Sequence, residues 1–330
     1  MVSTGSTSGE GSTSGGGSTN GGLPVLPADL SAQAALGPDW ASWLDRLPRL
    51  LRDLLEEWEL RRDGDEVWHG YCSAVLPVRT ITGGAAVLKV SFDGDEESVH
   101  EALALQTWAG RGAVRLLRAD PRRRVLLLER LTRRDLHDLP VLDACAEVAR
   151  LYGALHVPAP PQLVPVNDFM SRWLDDLAAA GPDLPLPRRM VAQALSLGRD
   201  LVADPGSTGR IVHGDLHYAN VLEDTDGTWV AIDPKAMSGD PHYEPAPMLW
   251  NRWEDYAAAH DLRTALRSRF HTLVDDAGLD EDRARDWVVV RMVVNAHWAV
   301  QDAARAGRGL DAEDRDWVSR CITIAKAVQD

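Results

Sequence analysis

Apolar residues recur at helical spacing early in the chain. Trp40, Trp43, Leu44, Leu47, Leu50, Leu51, Leu54, Leu55 and Trp58 lie mostly three or four apart and predict one or two amphipathic helices. The period then shortens. From about Glu59 to Ser91 the pattern predicts strands near Trp58–Arg62, at Tyr71–Thr80 and at Ala85–Val90, with turns at Asp63-Gly64-Asp65 and Thr82-Gly83-Gly84. A helix follows over Glu96–Ala109, with Val99, Leu103, Leu105 and Trp108 on its apolar side, and then two more strands, Ala113–Leu117 and Arg124–Leu131. In the last of these Val125-Leu126-Leu127-Leu128 is apolar at every position, as in a strand buried on both faces.

Beyond Leu131 the period is helical. Asp143–His156 stops at the Pro158–Pro161 cluster; Phe169–Ala180 and Arg188–Ala203 follow, and three further helices fit roughly 250–277, 281–306 and 311–328. A short β-like island, Ile211–Asp233, interrupts them and carries most of the polar motif residues. The pattern is α+β in two lobes, a small β-rich part over 23–131 with five strands and one helix packed beside them, and a larger helical part over 132–330. Residues 1–22 are nearly all Ser, Thr and Gly, with Glu10 the only charge, and read as a disordered tail or linker.

Composition narrows the functional classes. The 330 residues hold 35 Lys and Arg against 50 Asp and Glu, a formal charge of −15, which repels phosphate backbones and argues against a nucleic-acid partner. The one dense basic run, Arg118–Arg124, contains Asp120 and Pro121 and reads as a turn between strands. No apolar stretch approaches the roughly 20 residues that span a bilayer. Trp287–Val294 is short and broken by Arg291. Cys72, Cys145 and Cys321 are too few and too far apart for a disulfide framework, so a reducing cytoplasm is the expected compartment. The acidic balance favours a small cationic partner; it leaves oligomeric state open.

The island reads Ile211-Val212-His213-Gly214-Asp215-Leu216-His217-Tyr218-Ala219-Asn220-Val221-Leu222, then Trp229-Val230-Ala231-Ile232-Asp233-Pro234-Lys235. Apolar flanks anchor a loop that presents polar groups. Asp215 and Asn220 stand five apart and Asp233 ends a second apolar strand, which suits phosphoryl transfer: one carboxylate positions a hydroxyl while an amide and a second carboxylate hold Mg²⁺. His213, Asp215 and His217 could instead make a zinc site, although no further Cys or His stands at metal spacing. In the first lobe Lys89 lies inside the apolar run Ala86-Val87-Leu88-Lys89-Val90, where an unpaired ammonium is costly; Glu101 is the acid to pair with it and Glu97, one turn away, its rival.

These residues resemble the small-molecule branch of the protein-kinase-like superfamily, whose catalytic loop has the form HGDLHxxN. Further runs resemble the bacterial aminoglycoside/hydroxyurea antibiotic resistance kinases, which include streptomycin 6-phosphotransferases. They are Leu126-Leu127-Leu128-Glu129-Arg130-Leu131, His156-Val157-Pro158-Ala159-Pro160, Trp229 to Lys235, Gly239-Asp240-Pro241, and Arg291-Met292-Val293-Val294-Asn295-Ala296-His297-Trp298. The likeness spans about 36–330. It implies a kinase-like fold and the transfer of phosphate from ATP, with Mg²⁺, to a hydroxyl of an aminoglycoside-type antibiotic, foremost the 6-position of streptomycin. Asp215 is then the catalytic base, Asn220 and Asp233 the metal ligands, and Lys89, oriented by Glu101, the partner of the α- and β-phosphates. The backbone of Glu129 and Leu131 holds adenine at a hinge near 129–132. The four positions are expected to converge on one triphosphate.

Pro234-Lys235 stand where protein kinases have Phe-Gly, and no GxGxxG stands between the first two strands, so phosphate-loop contacts stay unassigned. For a cationic acceptor the candidates are Glu254, Asp255, Trp298 and Asp302, since guanidinium groups pair with carboxylates and stack on rings. Asp240 reads as a brace for the catalytic loop. A kinase for another antibiotic or an endogenous metabolite, and a non-catalytic nucleotide-binding module, are the alternatives.

Overall fold

The computed structural model describes residues 22–181, 183–257 and 259–329, so the tail expected over 1–22 lies outside the described residues except for Gly22. The chain divides into two compact units, one ending at Thr132 and the other Arg133–Asp330.

The first unit opens with the short helix α1 (Ala28–Ala32) and the 20-residue α2 (Pro38–Glu57). Pro38 sits at the first turn of α2, where a missing N–H costs nothing. The predicted apolar stripe from Trp40 to Leu55 forms one continuous helix and packs over Leu76, Leu88 and Leu127 of the sheet, with Trp40 stacked on Phe92 at 4.1 Å between ring centroids. The sheet holds β1 (Arg61–Arg62), β2 (Trp68–His69), β3 (Ser73–Arg79), β4 (Ala85–Ser91), β5 (Leu116–Asp120) and β6 (Val125–Glu129). It is antiparallel in the order β1-β3-β4-β6-β5, with β2 also on β3. Six strands replace the five expected because β2 has only two residues, too few for alternation to register. β5 starts later than the Ala113–Leu117 pattern suggested, and its pairing shifts between Leu116 and Arg118. The basic run does form the turn into β6: Arg123 pairs with Asp120 at 2.6 Å and with Glu57 at 2.7 Å.

Strand parity positions the first candidate site residue. Ala86, Leu88 and Val90 of β4 join the core under α2, so Lys89 points to the opposite face. The helix expected over Glu96–Ala109 is a 3₁₀ turn, Glu97–His100, followed by α3 (Glu101–Trp108).

The second unit contains α4 (Val141–Leu155), α5 (Val166–Ala179), α6 (Arg188–Ala203), β7 (Arg210–Val212), β8 (Val221–Glu223), β9 (Trp229–Ala231), β10 (Met237–Gly239), α7 (Ala246–Trp250), α8 (Glu254–Ala257), α9 (Leu262–Ala277), α10 (Glu281–Arg305) and α11 (Ala312–Ala327). The island is thus two antiparallel ribbons, β7 with β10 and β8 with β9. The helix expected over 250–277 is split into α8 and α9, and the turn before α8 places Arg252 at φ 53°. α10 is buried without a break from Trp287 to His297 and packs against α11 and α6. All three cysteines are free, and among the described residues no helix is long and apolar enough to cross a membrane.

Candidate active site

In the first unit Lys89 and Glu101 form a closed pair. The ammonium donates to both carboxylate oxygens at 2.7 and 2.8 Å, and the two residues are 6% and 2% exposed. Glu101 opens α3 and faces the strand, whereas Glu97 lies on the preceding 3₁₀ turn and is exposed, so the rivalry resolves to Glu101. Two charges removed from water this fully persist only because each compensates the other. At the end of β6, the Glu129 N–H donates to the Arg115 carbonyl at 3.0 Å and its carboxylate accepts the Arg115 N–H at 2.6 Å. That backbone N–H is therefore already committed, while half-buried Leu131 lies just past the strand.

In the second unit the loop between β7 and β8 carries Asp215 and Asn220. A 3₁₀ turn, Tyr218–Asn220, closes it, with the His217 ring accepting the Ala219 N–H at 3.3 Å. The Asn220 side chain donates through Nδ2 to the Asp215 carbonyl at 2.9 Å, and its own backbone carbonyl accepts the Ile232 N–H at 2.9 Å. The β9 end, and with it Asp233, is thereby tied to the catalytic loop. Asp233 takes a left-handed backbone, φ 55°, which Asp tolerates better than most residues. Lys235 Nζ lies 3.6 Å from Asp233 Oδ1.

The histidines are occupied by the backbone. His213 Nε2 lies 2.9 Å from the Ile232 carbonyl and Nδ1 accepts the Asp215 N–H at 3.3 Å, which removes it from the zinc alternative. Burial lowers the basicity of both rings, that of His217 to about 4. Half-buried Asp215 is also poorly solvated, which pushes its carboxyl up to about 6 against the opposing pull of Lys235 and His213. A carboxyl tuned toward neutrality can accept a proton as a hydroxyl oxygen attacks.

Two anchors outside the motif hold the peptide before Asp215. Glu244, wholly buried, accepts the His213 and Gly214 N–H groups, the latter at 3.2 Å. Burial works to raise its carboxyl, but His156 at 3.6 Å and the backbone N–H outweigh that and keep it below the usual range. From α10, Arg291 donates to the Gly214 carbonyl at 2.8 Å and the Tyr243 carbonyl at 2.7 Å, with its guanidinium over the Tyr243 ring at 3.9 Å. Arg291 had a visible signal, a lone cation in an apolar run; Glu244 had none. Gly214 itself is required: at φ 82°, a Cβ would fall 2.6 Å from the Lys235 carbonyl oxygen.

Asp240 braces the ribbon rather than the loop. Its carboxylate bonds the His242 ring at 2.5 Å, Trp287 Nε1 at 2.8 Å, the His242 N–H at 3.0 Å and Arg283; burial opposes this, yet the His242 and Trp287 bonds hold its carboxyl down to about 2. The acceptor candidates fare differently. Asp255 is engaged by Arg252 at 2.8 Å and Arg269 at 3.5 Å, and Asp302 by Arg305 at 3.1 Å. Glu254 is exposed on α8. Trp298 joins an aromatic cluster with Trp173 and Phe169, 5.0 and 6.3 Å away between centroids.

Among the described residues no three or more His, Cys, Asp and Glu side chains gather as a protein-only metal centre would require. The available donors are hard oxygens: the Asp233 carboxylate and the Asn220 Oδ1, the end of the amide not spent on Asp215. They fit a cation such as Mg²⁺ that draws the rest of its shell from water and phosphates.

The fold is that of the kinase-like small-molecule phosphotransferases. An aminoglycoside phosphotransferase, APH(4)-Ia, solved as a ternary complex of a thermostable mutant with ADP and hygromycin B, superposes with a TM-score of 0.57 at 20% identity, covering 84% of this chain and 98% of that one. The chain belongs to the aminoglycoside/hydroxyurea antibiotic resistance kinase family, which matches residues 57–303. It is 38% identical over 291 residues to streptomycin 6-kinase of Streptomyces glaucescens, covering 86% of this chain and 94% of that protein. It is also 37% identical over 267 residues to a hydroxyurea phosphotransferase of Kitasatospora aureofaciens, covering 79% and 75%.

Proposed function

We propose that the protein transfers the γ-phosphoryl group of ATP, with Mg²⁺, to a hydroxyl of streptomycin, at the 6-position. The observation that carries the chemistry is the loop geometry: a half-buried carboxylate whose flanking peptide is anchored from both sides, bound through its carbonyl to the amide of Asn220. Asp215 aligns the acceptor hydroxyl and takes its proton as the new bond forms. Asn220 and Asp233 would hold the metal, which would supply positive charge to offset that of the phosphates. Lys89, fixed by Glu101, pairs with the α- and β-phosphates, and the chain near Leu131 receives adenine. Phosphorylation adds about −1.5 to −2 charge to a cationic drug at neutral pH, enough to spoil its fit to an anionic RNA target.

The choice of acceptor is supported by the streptomycin 6-kinase relative and by the net charge of −15, which draws a cation. A second reading, phosphorylation of hydroxyurea, is favoured by the similar identity to the hydroxyurea phosphotransferase. Coupled ADP release with streptomycin, other aminoglycosides, hydroxyurea and no acceptor separates them. Streptomycin-dependent turnover with no response to hydroxyurea is expected; turnover on hydroxyurea alone would replace the first reading by the second.

A further inference from the structure

Lysine is scarce in this chain. Only Lys89, Lys235 and Lys326 appear among its 35 basic residues, so nearly every cation is arginine. Lys89 is buried against Glu101. Lys235 lies within the catalytic island, its side chain 19% exposed. Its backbone is pinned to the loop: the Lys235 N–H donates to the His213 carbonyl at 2.8 Å, and its carbonyl lies against Gly214 so closely that no Cβ fits there. The ammonium is thus launched from the segment packed on the peptide that precedes Asp215, and it lies 3.6 Å from the Asp233 carboxylate. Arg291, the other cation near Asp215, is consumed by the Tyr243 and Gly214 carbonyls and stacked on Tyr243. An arginine fork would bind one carboxylate bidentately; a compact ammonium can be shared with a ligand's oxygens.

We propose that Lys235 is a catalytic residue whose ammonium contacts the γ-phosphoryl group and stabilises the charge on its oxygens during transfer. The inference rests on the kinase reading above. In the step, the acceptor oxygen bonds to phosphorus as the bond from phosphorus to the ADP oxygen breaks. ADP keeps that electron pair, and the acceptor's proton goes to Asp215. Lys235 keeps its proton and makes no covalent bond; its contribution is a fixed charge where negative charge is carried.

The test compares Lys235→Met with wild type in two assays. In nucleotide binding with Mg²⁺, the variant is expected to lose about 10- to 100-fold in affinity for the ATP analogue AMP-PNP while ADP affinity stays within about twofold, the value of one charge-assisted contact to the terminal phosphoryl. In turnover, kcat is expected to fall about 10²- to 10³-fold with the KM of the acceptor nearly unchanged. Equal losses for AMP-PNP and ADP, no loss for either, or a defect confined to acceptor KM would overturn the role. A wild type that binds nucleotide yet releases no ADP with any acceptor sinks the proposed function instead, and the binding arm still judges Lys235. Should Lys235→Met fail to fold, Lys235→Gln replaces it: AMP-PNP affinity lost while ADP affinity stays within about twofold supports the contact, and equal changes for the two nucleotides reject it.

Discussion

The two units bury charge in opposite ways. In the first, Lys89 and Glu101 close on each other, both ends of the ion pair supplied by side chains twelve residues apart. In the second, Asp215 is not closed on a cation in this way; the weakly basic His217 ring lies 3.9 Å from its Oδ2. Its position comes from the backbone around it, fastened by Glu244 at two N–H groups and by Arg291 at a carbonyl, while its carboxylate stays a third exposed. A closed pair is a rigid point of charge; an anchored peptide leaves the carboxylate itself available to a proton. The difference separates a charge closed on its partner from a carboxylate left open to a proton.

The largest effect that would break this contrast is on turnover. Asp215→Asn should lower kcat on the order of 10²- to 10⁴-fold with nucleotide affinity nearly intact, measured by coupled ADP release and by binding; full activity would dismiss Asp215 as the base. Next come the anchors. Lys89→Met or Glu101→Gln alone should cost about 3–5 kcal/mol in urea unfolding, and Lys89→Met with Glu101→Leu should recover most of it, because removing both charges removes the desolvation cost. Glu244→Leu should cost about 2–4 kcal/mol with no such rescue by Arg291→Met, since the donors left unsatisfied are backbone groups. Rescue there would erase the distinction between the two sites.

Acidity sharpens it further. A carboxyl raised from the ordinary aspartate range to about 6 in the fold favours the protonated native form. The stability this provides is complete below about pH 4 and is lost as pH rises through 6. Asp215→Asn should therefore melt higher than wild type above pH 6, with the gap closing toward pH 4. Over the same range kcat/KM of the wild type should climb as the base deprotonates. A gap that is constant with pH would contradict the poor solvation of Asp215. The smallest effect is expected at the rim: Asp302→Asn, which breaks only an exposed pair with Arg305, should change stability by no more than about 0.5 kcal/mol. A several-fold rise in acceptor KM in that variant would give Asp302 a place in drug binding.

What the sequence revealed follows the same division. Lys89 was readable because a lone ammonium inside an apolar strand demands an acid, and strand parity then sends it away from the α2 core. The acid itself stayed open between Glu97 and Glu101 until the 3₁₀ turn set the phase of α3. The loop carrying Asp215 was readable from its spacing, yet its anchor Glu244 was not. Glu244 lies 31 residues from His213, in a Pro-rich connection with no period to follow, and only tertiary contact reveals it. The long α5, α6, α10 and α11 appeared within a few residues because their apolar faces repeat. β2 and the break between α7 and α8 did not, since a two-residue strand and a turn at Arg252 leave no periodic trace.

The left-handed turn at Asp233 limits how this site can drift over evolutionary time. Glutamate offers the same charge, but it is poorly suited to that backbone and a methylene too long, so a drift from one acid to the other is closed by the main chain as well as by reach. Asparagine and glycine accept the turn. If Asp233 holds the cation as proposed, loss of activity at this position should therefore arrive through those two residues, in a descendant that folds normally and lacks only that carboxylate.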